Sequence, residues 1–369
     1  MQSVSNMKPK KSKILPIGKL DTKLLQEIFD EYNSPRLLKN LENSNFKDNY
    51  EDSKKRVKLG FAIGEDAAVI TTEDPDTFLV AKTDPITFAT EDIGYYVVNV
   101  NANDVVSMGA TPKWFQATIL LPADIATEEL AKKICLDIQK ACLNLGVYLI
   151  GGHTEVTYGL NRPLVIGSMM GEVKKEHYVQ SSGGKPGDAI ILTKGIPLEG
   201  TSIIAREKES QLLESGISRE VIDKSKQLLF SPGISVIKEA LLAVQHFQIH
   251  AMHDPTEGGL AMGLVELSRA SNCGFHVIFE DIPIIPEGKM LCELFDLNPL
   301  QTISSGSLLI VVDGSDCDNL LQMLSENRIL ARKIGTLTPN EDYLISYNKK
   351  THKIAYSEND EITKIFEGD

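Results

Sequence analysis

Carboxylate side chains recur in four short segments of the sequence, each bordered by small or polar residues. The segments are Gly64-Glu65-Asp66-Ala67-Ala68, Lys82-Thr83-Asp84-Pro85, Asn101-Ala102-Asn103-Asp104 and Gly151-Gly152-His153-Thr154-Glu155. Hard cations such as Mg²⁺ take oxygen ligands and keep substrate phosphates in their shell. One such segment alone means little, but the four together predict a site where carboxylates hold a metal ion and the phosphates of a ligand.

Short secondary-structure elements are expected to position these carboxylates. Asp66 and Asp84 adjoin β-type runs, and strand ends commonly display side chains that contact ligands. A helix predicted over about 92–108 places Asn101 and Asp104 on an apolar stripe. A carboxylate buried there must be paired, capped or bound to metal, because isolated burial costs several kcal/mol. Asp104 is therefore either a metal ligand or a buried Asp that backbone amides satisfy.

The fourth segment follows a predicted strand, 147–150, which we expect to end at Gly151-Gly152. Two residues without side chains would let the backbone approach a phosphate closely. The sequence contains neither the P-loop pattern nor the dinucleotide-binding G-x-G-x-x-G, so phosphates would depend on metal bridges and loop amides. His153 is either a general acid or base or a hydrogen bonder that orients its neighbours.

A second group of informative residues precedes a helix predicted over about 257–271. We expect Asp254 to cap this helix, with Pro255 in its first position and Glu257 completing a capping box. Gly258-Gly259 stay unexplained by that interpretation, since each glycine costs up to about 1 kcal/mol relative to alanine in a helix. Close approach of a ligand or of the other domain would account for them, and a helix N-terminus is also an anion site.

The alternation of strand-like and helical patterns predicts an α/β (α+β) fold, and 369 residues suggest two domains. We expect an N-terminal extension with a helix over 1–58, a first domain over 59–180, a second over 187–345 and a polar, peripheral tail over 346–369. The turn-rich segment 181–188 would separate the two domains.

The composition argues against several classes of protein. A net charge of −13 disfavours an extended basic surface for nucleic acid. Five cysteines without a C-x-x-C pair suggest buried thiols rather than a zinc site or a disulfide framework. The opening segment lacks the apolar stretch of a signal peptide, and no uninterrupted apolar run is long enough to span a membrane. We therefore expect a cytoplasmic protein.

These motifs, in this order, resemble those of the PurM-like superfamily, which contains AIR synthetase, thiamine-monophosphate kinase, selenophosphate synthetase and HypE. Its members show G-[DE]-D-[AS]-A, T-D, N-D-[IVL]-x-x-M-G-A and G-G-[DHE]-T. The matching segments here are Gly64–Ala68, Thr83-Asp84, Asn103–Ala110 and Gly151–Thr154. The resemblance spans about residues 59–340, and the second half looks most like HypE, through Asp254–Leu260, Asp281–Pro283 and Phe295–Leu300.

The resemblance implies a homodimer in which the strands of the N-terminal domain form a β-barrel with the second subunit. It also implies a C-terminal α/β domain and ATP in a cleft at the subunit interface. By matching position, Asp66, Asp84 and Asp104 would hold Mg²⁺ and the ATP phosphates. Asp84, Asp104 and His153 are the candidate catalytic residues. The remaining candidates for nucleotide binding are Gly64, Glu65, Ala67, Asn101, Gly151, Gly152, Thr154, Glu155, Asp254, Gly258 and Gly259.

Two features depart from the pattern of relatives. HypE carries a carbamoyl group on a C-terminal Cys, whereas the last cysteine here is Cys317. Selenophosphate synthetase uses a Cys or selenocysteine near its N-terminus, whereas the first cysteine here is Cys135. We therefore do not expect cyanide-ligand synthesis by the HypE route, and the chain looks like the AIR synthase-related branch.

Three functions stay open from the sequence. The first is ATP-dependent transfer of the γ-phosphoryl group to a small acceptor, by an enzyme that is HypE-like and related to hydrogenase maturation. The second, narrower function is that of a thiamine-monophosphate kinase. The third is a non-enzymatic maturation or assembly factor, in which ATP only sets a conformation. The partners expected are a small-molecule substrate, a second copy of the chain and a maturation protein.

Overall fold

The first half of the chain forms a six-stranded sheet. Its strands are β1 Val57–Leu59, β2 Ala68–Thr71, β3 Thr77–Ile86, β4 Thr111–Pro122, β5 Tyr148–Thr157 and β6 Leu164–Lys174. They lie in the order β1-β2-β3-β6-β4-β5, and of these neighbours only β4 and β5 run parallel. The computed structural model describes residues 20, 22–32, 34, 38–39, 44–62, 64–357 and 359–366.

Helices precede this sheet and cover one of its faces. The two that precede it are α1 Thr22–Tyr32 and α2 Lys47–Lys55, and the two that cover it are α3 Ile93–Ser107 and α4 Glu128–Leu145. The predicted cap of α4 is confirmed, because the side chain of Thr127 accepts a hydrogen bond from the Leu130 amide at 3.1 Å. The helix α3 is buried almost all round rather than on one stripe. It packs between the first sheet and elements of the second half.

The second half forms a seven-stranded sheet with helices around it. Its strands are β7 Ala189–Thr193, β8 Ile249–His253, β9 Gly274–Ile278, β10 Leu309–Val312, β11 Ala331–Thr338, β12 Tyr343–Tyr347 and β13 Lys350–Lys353, in the order β13-β12-β9-β11-β7-β10-β8. Its helices are α5 Leu198–Glu207, α6 Glu209–Glu214, α7 Arg219–Gln227, α8 Ile237–His246, α9 Gly259–Ala270, α10 Pro286–Leu294 and α11 Cys317–Glu326. The predicted α/β fold is confirmed.

One stretch, residues 219–246, is long and apolar enough to cross a membrane by length and composition alone, and half of it is buried. It is not one continuous helix, because Ser231 between α7 and α8 has an extended backbone (φ −145°, ψ 111°). Buried side chains of both helices join the cores of the protein. We interpret the stretch as two core helices.

The expectation of a peripheral tail does not hold for the last segment that the structure describes, residues 361–366. A short 3₁₀ helix, Glu361–Phe366, packs back onto the protein, and Ile362 within it is fully buried. Phe366 stacks on Phe88, with 6.1 Å between the ring centroids. Apolar residues spaced three apart in this otherwise polar segment are the sequence signal for this packing. The short helix is part of the core and lies beside the cavity described next.

Candidate functional site

Loops from both halves of the chain enclose a cavity of about 480 Å³, a volume typical of small-molecule sites. The first half contributes α1, the segment before β2, the end of β3 and two residues of α3. The second half contributes, among others, the loop between β8 and α9 and residues of α9. The aspartates that line the cavity are Asp66, Asp84, Asp104 and Asp254. Carboxylates that are far apart in the sequence therefore meet at one place, as the motifs predicted.

Three residues of the first motif line the cavity, and one packs in the core. Gly64 and Glu65 line the cavity together with Asp66, whereas Ala67 is buried in the apolar core. Burial raises the pKa of Glu65, whereas hydrogen bonds from the two serines of segment 181–182 lower it. Of the predicted nucleotide ligands in this motif, Ala67 is therefore the one that only packs.

Asn101 fixes the backbone that carries Asp84. Its Oδ1 accepts a hydrogen bond from the amide of Asp84 at 2.8 Å. Its Nδ2 donates to the carbonyl oxygens of Asp84 and Val97, at 3.2 and 2.8 Å. Asn101 is fully buried, so this predicted nucleotide ligand acts as a positioning residue, with both ends of its amide used inside the protein.

Lys82 bridges two of the aspartates. Its Nζ lies 3.2 Å from Asp84 Oδ2 and 3.5 Å from Asp104 Oδ2. The Asp104 side chain is 6% exposed, against 33% for Asp84. Burial raises the pKa of Asp104 well above its ordinary value, the nearby Lys82 charge opposes this, and the other three aspartates reinforce it. Without a further cation, Asp104 therefore favours its protonated form.

His253 orients Asp66 from the second half of the chain. Its Nδ1 lies 2.7 Å from Asp66 Oδ1, and its Nε2 lies 3.1 Å from Glu266 Oε2. Burial alone would lower the pKa of His253, but attraction to Asp66 and Glu266 raises it well above its ordinary value. The charged imidazolium donates to both carboxylates, and Asp66 Oδ2 is left without a hydrogen-bond partner among the described residues.

The prediction that Asp254 caps a helix is wrong. The helix α9 begins at Gly259, and its N-cap is Gly258, which has φ 77° and makes no side-chain cap bond. Asp254 is 1% exposed, and within the described part of the chain neither of its carboxylate oxygens has a hydrogen-bond partner. Burial, reinforced by the charge of Asp66, raises its pKa to about 8. Asp254 is thus available for a ligand rather than used by the helix.

The unpaired aspartate oxygens fit a divalent cation. Oxygens of Asp66, Asp104 and Asp254 are buried without a hydrogen-bond partner in the described residues, and such burial is costly unless a charge or a donor compensates it. Ligand atoms of Asp66, His253 and Asp254 lie within 4.8 Å of one another. Since both ring nitrogens of His253 already face carboxylates, the aspartate oxygens are the candidate ligands, and such hard oxygens suit Mg²⁺.

The two glycines at the start of α9 are explained by close packing within the second half. Gly259 has φ 61°, and a Cβ there would lie 2.7 Å from the carbonyl oxygen of Thr302. A Cβ on Gly258 would lie 2.7 Å from the carbonyl oxygen of Ser357. The predicted close approach is present, but it is an approach of the chain to itself, and neither glycine is among the described residues that line the cavity.

The fourth motif lies away from the cavity in the single chain. The strand β5 does not end at Gly151-Gly152 but continues through them, beside a bulge in the β4–β5 ladder. A Cβ on Gly152 would overlap the carbonyl group of Ala117 on β4. The residues His153–Glu155 are exposed on this edge strand and, among the described residues, do not line the cavity. Their predicted contact with a nucleotide therefore requires a second subunit.

Sequence reasoning did not assign several polar residues of the cavity to the site, among them Lys82, Arg162, Glu199 and His253. A signal existed for Lys82, because residues two apart on a strand share a face, and Lys82 stands two before Asp84. His253 ends β8 directly before Asp254, the kind of strand end where ligand-contacting residues gather. For Arg162 and Glu199 no local pattern marks the position.

Comparison with known proteins identifies relatives of this chain. Residues 64–173 match the family model described as AIR synthase related protein, N-terminal domain, and residues 185–347 match the model of its C-terminal domain. A protein of Methanocaldococcus jannaschii named for hydrogenase expression and formation is 28% identical over 298 residues, covering 80% of this chain and 82% of the relative. The carbamoyl dehydratase HypE of Cupriavidus necator is 28% identical over 274 residues, covering 72% and 73%.

Solved structures share the fold. A crystal structure of the hydrogenase maturation protein HypE in complex with ATP superposes with a TM-score of 0.62 at 21% identity, covering 80% of this chain and 90% of that one. A chain of a HypE–HypF complex gives 0.64 at 21% identity and covers 90% of this chain and 99% of that one. A thiamine-monophosphate kinase structure, AaThiL with AMPPCP and TMP, gives 0.63 at 18% identity and covers 84% and 94%. At these identities the likeness concerns the fold.

Proposed function

The chain belongs to the AIR synthase related protein family, in the HypE-like branch of the PurM-like superfamily, and from this premise we propose that it is an ATP-dependent phosphotransferase. ATP would bind with Mg²⁺ in the cavity, and its γ-phosphoryl group would pass to an oxygen atom of a small acceptor. The observation that carries the proposal is that buried oxygens of Asp66, Asp104 and Asp254 have no hydrogen-bond partner among the described residues, and that these residues line one cavity with Lys82.

Different residues of this chain would bind the metal ion and the phosphates. Asp66, Asp84 and Asp104 would hold Mg²⁺, with Asp254 as a further oxygen ligand. When bound, the metal ion would neutralise phosphate charge. Such electrostatic stabilisation, together with positioning, is the main source of catalysis in phosphoryl transfer. With the carboxylates bound to a cation, Lys82 would no longer bridge them and would be a partner for a phosphate oxygen. Solved structures of this fold that contain ATP, or AMPPCP with TMP, support this use of the cavity.

A second copy of the chain would complete the nucleotide site. The strand β5 is an edge of its sheet in the single chain, and Tyr148 and Val156 on it are 73% and 59% exposed. An exposed apolar edge strand is a template for pairing with another chain. Pairing there would cover His153–Glu155 and carry them toward a nucleotide at the interface, as the family resemblance implies. A maturation protein is the further partner that the HypE–HypF complex suggests.

Exchange of Asp104 for Asn tests the proposal. The change keeps the size of the side chain and removes one negative oxygen from the predicted cation shell, so Asp104→Asn should bind Mg-ATP at least 100-fold more weakly than the wild type in isothermal titration calorimetry. Asp124→Asn, at an exposed position after β4, is the matched control and should bind normally. Circular dichroism should show an unchanged fold in both variants.

Two results would go against the proposal. Unchanged Mg-ATP affinity in Asp104→Asn would remove this residue from the nucleotide site. Tight binding without ADP formation, in the presence of acceptors and of maturation partners, would favour the non-enzymatic factor over the phosphotransferase.

A further inference from the structure

A buried carboxylate near the C-terminus joins three separate stretches of backbone. Asp360 is 3% exposed. Its Oδ2 accepts a hydrogen bond from the amide of Gly258 at 2.6 Å, and its Oδ1 accepts from the amides of Ile303 and Ile362 at 3.1 and 2.7 Å. The bond to Ile362 is local, whereas the other two reach stretches that are distant in sequence. One side chain therefore ties the end of the chain to two other parts of the fold.

Both of these distant stretches belong to the wall of the cavity. Gly258 is the N-cap of α9 and ends the loop that begins after β8 with Asp254. Asp254 lines the cavity, and so does Ile303. The hydrogen bonds of Asp360 therefore connect the loop that carries a candidate metal ligand with a second segment that lines the cavity.

Backbone contacts show that these stretches lie directly against one another. The amide of Ser304 donates to the carbonyl oxygen of Thr256 at 3.3 Å. On the other side, a Cβ added to Gly258 would lie 2.7 Å from the carbonyl oxygen of Ser357. The loop 254–258 is thus packed between the segment that begins at 303 and the returning C-terminal segment, and Asp360 bonds to both of its neighbours in this arrangement.

The same C-terminal segment contacts lining residues from the first half of the chain. The ring of Phe366 stacks on Phe88, with 6.1 Å between the centroids, and the guanidinium of Arg162 lies 5.9 Å from the Phe366 ring centre. Phe88 and Arg162 both line the cavity. The segment 360–366 is therefore in contact with cavity-lining residues of both halves.

The side chain of Asp254 depends on its backbone for its position. Among the described residues, neither of its oxygens has a hydrogen-bond partner. Burial, and then the charge of Asp66, raise the pKa of Asp254, so an ionised Asp254 is repelled from the place where both carboxylates would bind one cation. A ligand that is not held through its own side chain is placed only as precisely as its backbone is supported.

We propose that Asp360 is a positioning residue, which supports the loop 254–258 and thereby keeps the Asp254 carboxylate in the cation site. The inference rests on the phosphotransferase proposal, because that proposal gives Asp254 its role as a metal ligand. Asp360 itself contacts neither the metal ion nor ATP. Residues that orient metal ligands commonly contribute about 10–100-fold to metal affinity.

Exchange of Asp360 for Asn in the full-length protein tests the proposal. The variant keeps the size of the side chain, but its amide nitrogen cannot accept a hydrogen bond from a backbone amide. We expect Asp360→Asn to bind Mg-ATP about tenfold more weakly than the wild type, or weaker still, in isothermal titration calorimetry. The titration is done at pH 8, where Asp360 is mostly ionised, since burial raises its pKa to about 7 while its three amide hydrogen bonds lower it.

The matched control removes another buried carboxylate that accepts from a backbone amide. Asp188 is 4% exposed, and its Oδ2 accepts from the amide of Lys185 at 2.7 Å. It is not among the described residues that line the cavity. Asp188→Asn should therefore unfold at a lower urea concentration than the wild type and still bind Mg-ATP within twofold of it.

A double variant shows whether Asp360 acts through Asp254. Once Asp254→Asn has removed the charged ligand, its loop has less to position, so adding Asp360→Asn should weaken Mg-ATP binding by less than about threefold more. A purely structural role would give the same loss in either background. A further loss as large as that of the single Asp360→Asn variant would therefore overturn the inference.

Hydrogen exchange of the wild type tests the same coupling without relying on the folding of a variant. If the C-terminal segment supports the ligand loop, then ligand binding must in turn stabilise the C-terminal segment. Saturating Mg-ATP should slow deuterium uptake in a peptide that covers 360–366 as well as in one that covers 254–262. Slower uptake in 254–262 with no change in 360–366 would contradict the proposal.

The outcomes separate this inference from the proposed function. If the wild type does not bind Mg-ATP, the phosphotransferase proposal is wrong, and the role of Asp360 in ligand binding is lost with it. If the wild type binds Mg-ATP and a folded Asp360→Asn binds it within threefold of the wild type, Asp360 only stabilises the fold. The phosphotransferase proposal would stand in that case.

Discussion

Replacing Asp254 by Asn should change how the stability of the metal-free protein depends on pH. Asp254 is 1% exposed and, among the described residues, its oxygens have no hydrogen-bond partner. Its pKa is raised from 3.8 to about 8. A carboxyl group with a higher pKa in the folded state binds more protons when folded, so the free energy of unfolding falls as the pH rises between these two values.

The size of the effect follows from the shift. One pH unit inside this window is worth at most about 1.4 kcal/mol for one group. Between pH 5 and 7 the wild type should therefore lose about 2 kcal/mol that Asp254→Asn does not lose, since asparagine does not titrate. A change of polarity or volume of the side chain in the variant adds an offset that is the same at both values of pH.

The assay is urea unfolding in EDTA at pH 5, 6 and 7, followed by circular dichroism, for the wild type, Asp254→Asn and the exposed control Asp124→Asn. The control should follow the wild type. Added Mg²⁺ should flatten the pH dependence of the wild type, because a bound cation compensates the ionised carboxylate, and should change Asp254→Asn less. Parallel pH profiles for the wild type and Asp254→Asn would refute the reasoning.

Two further predictions concern the packing around the site. Gly259→Ala should destabilise the protein by more than about 2 kcal/mol, since φ is 61° and a Cβ would lie 2.7 Å from the Thr302 carbonyl oxygen. Gly146→Ala, with φ 69° and nothing within 4 Å of the added Cβ, should cost only about 1 kcal/mol, and equal losses in thermal unfolding would contradict this account. Ile362→Ala should cost about 2–4 kcal/mol because Ile362 is fully buried. Truncation of the exposed Tyr356 is the control, and a silent Ile362→Ala would show that the tail does not pack as described.

Local patterns in the sequence predicted the elements and the convergence of aspartates well. Periodicity placed the helix that carries Asp104, and turn chemistry placed the cap at Thr127. Both depend on residues close in sequence, which is why a single sequence contains the information. The same holds for Asp66, which lies just before β2, whereas Asp84, expected just past the end of its strand, lies within β3.

Features that depend on distant parts of the chain were not predicted. The partner of Asp66 is His253, from the opposite half of the chain, and no local pattern marks that pair. Asp254 matches the capping motif in sequence, but the helix starts later because Gly258 takes a left-handed conformation against the returning tail. The strand β5 continues past its glycines because a neighbouring backbone comes close to Gly152. In each case a long-range contact overrides a local preference.

The central claim is that aspartates from separate segments hold one Mg²⁺ together with a triphosphate, and a crystal structure with Mg²⁺ and a non-hydrolysable ATP analogue tests it most directly. The account predicts a single ion between Asp66, Asp84 and Asp104, with carboxylate oxygens about 2.1 Å from the metal and phosphate oxygens in the same shell. An analogue bound outside this cavity, or a metal ion that none of these three residues contacts, would contradict it.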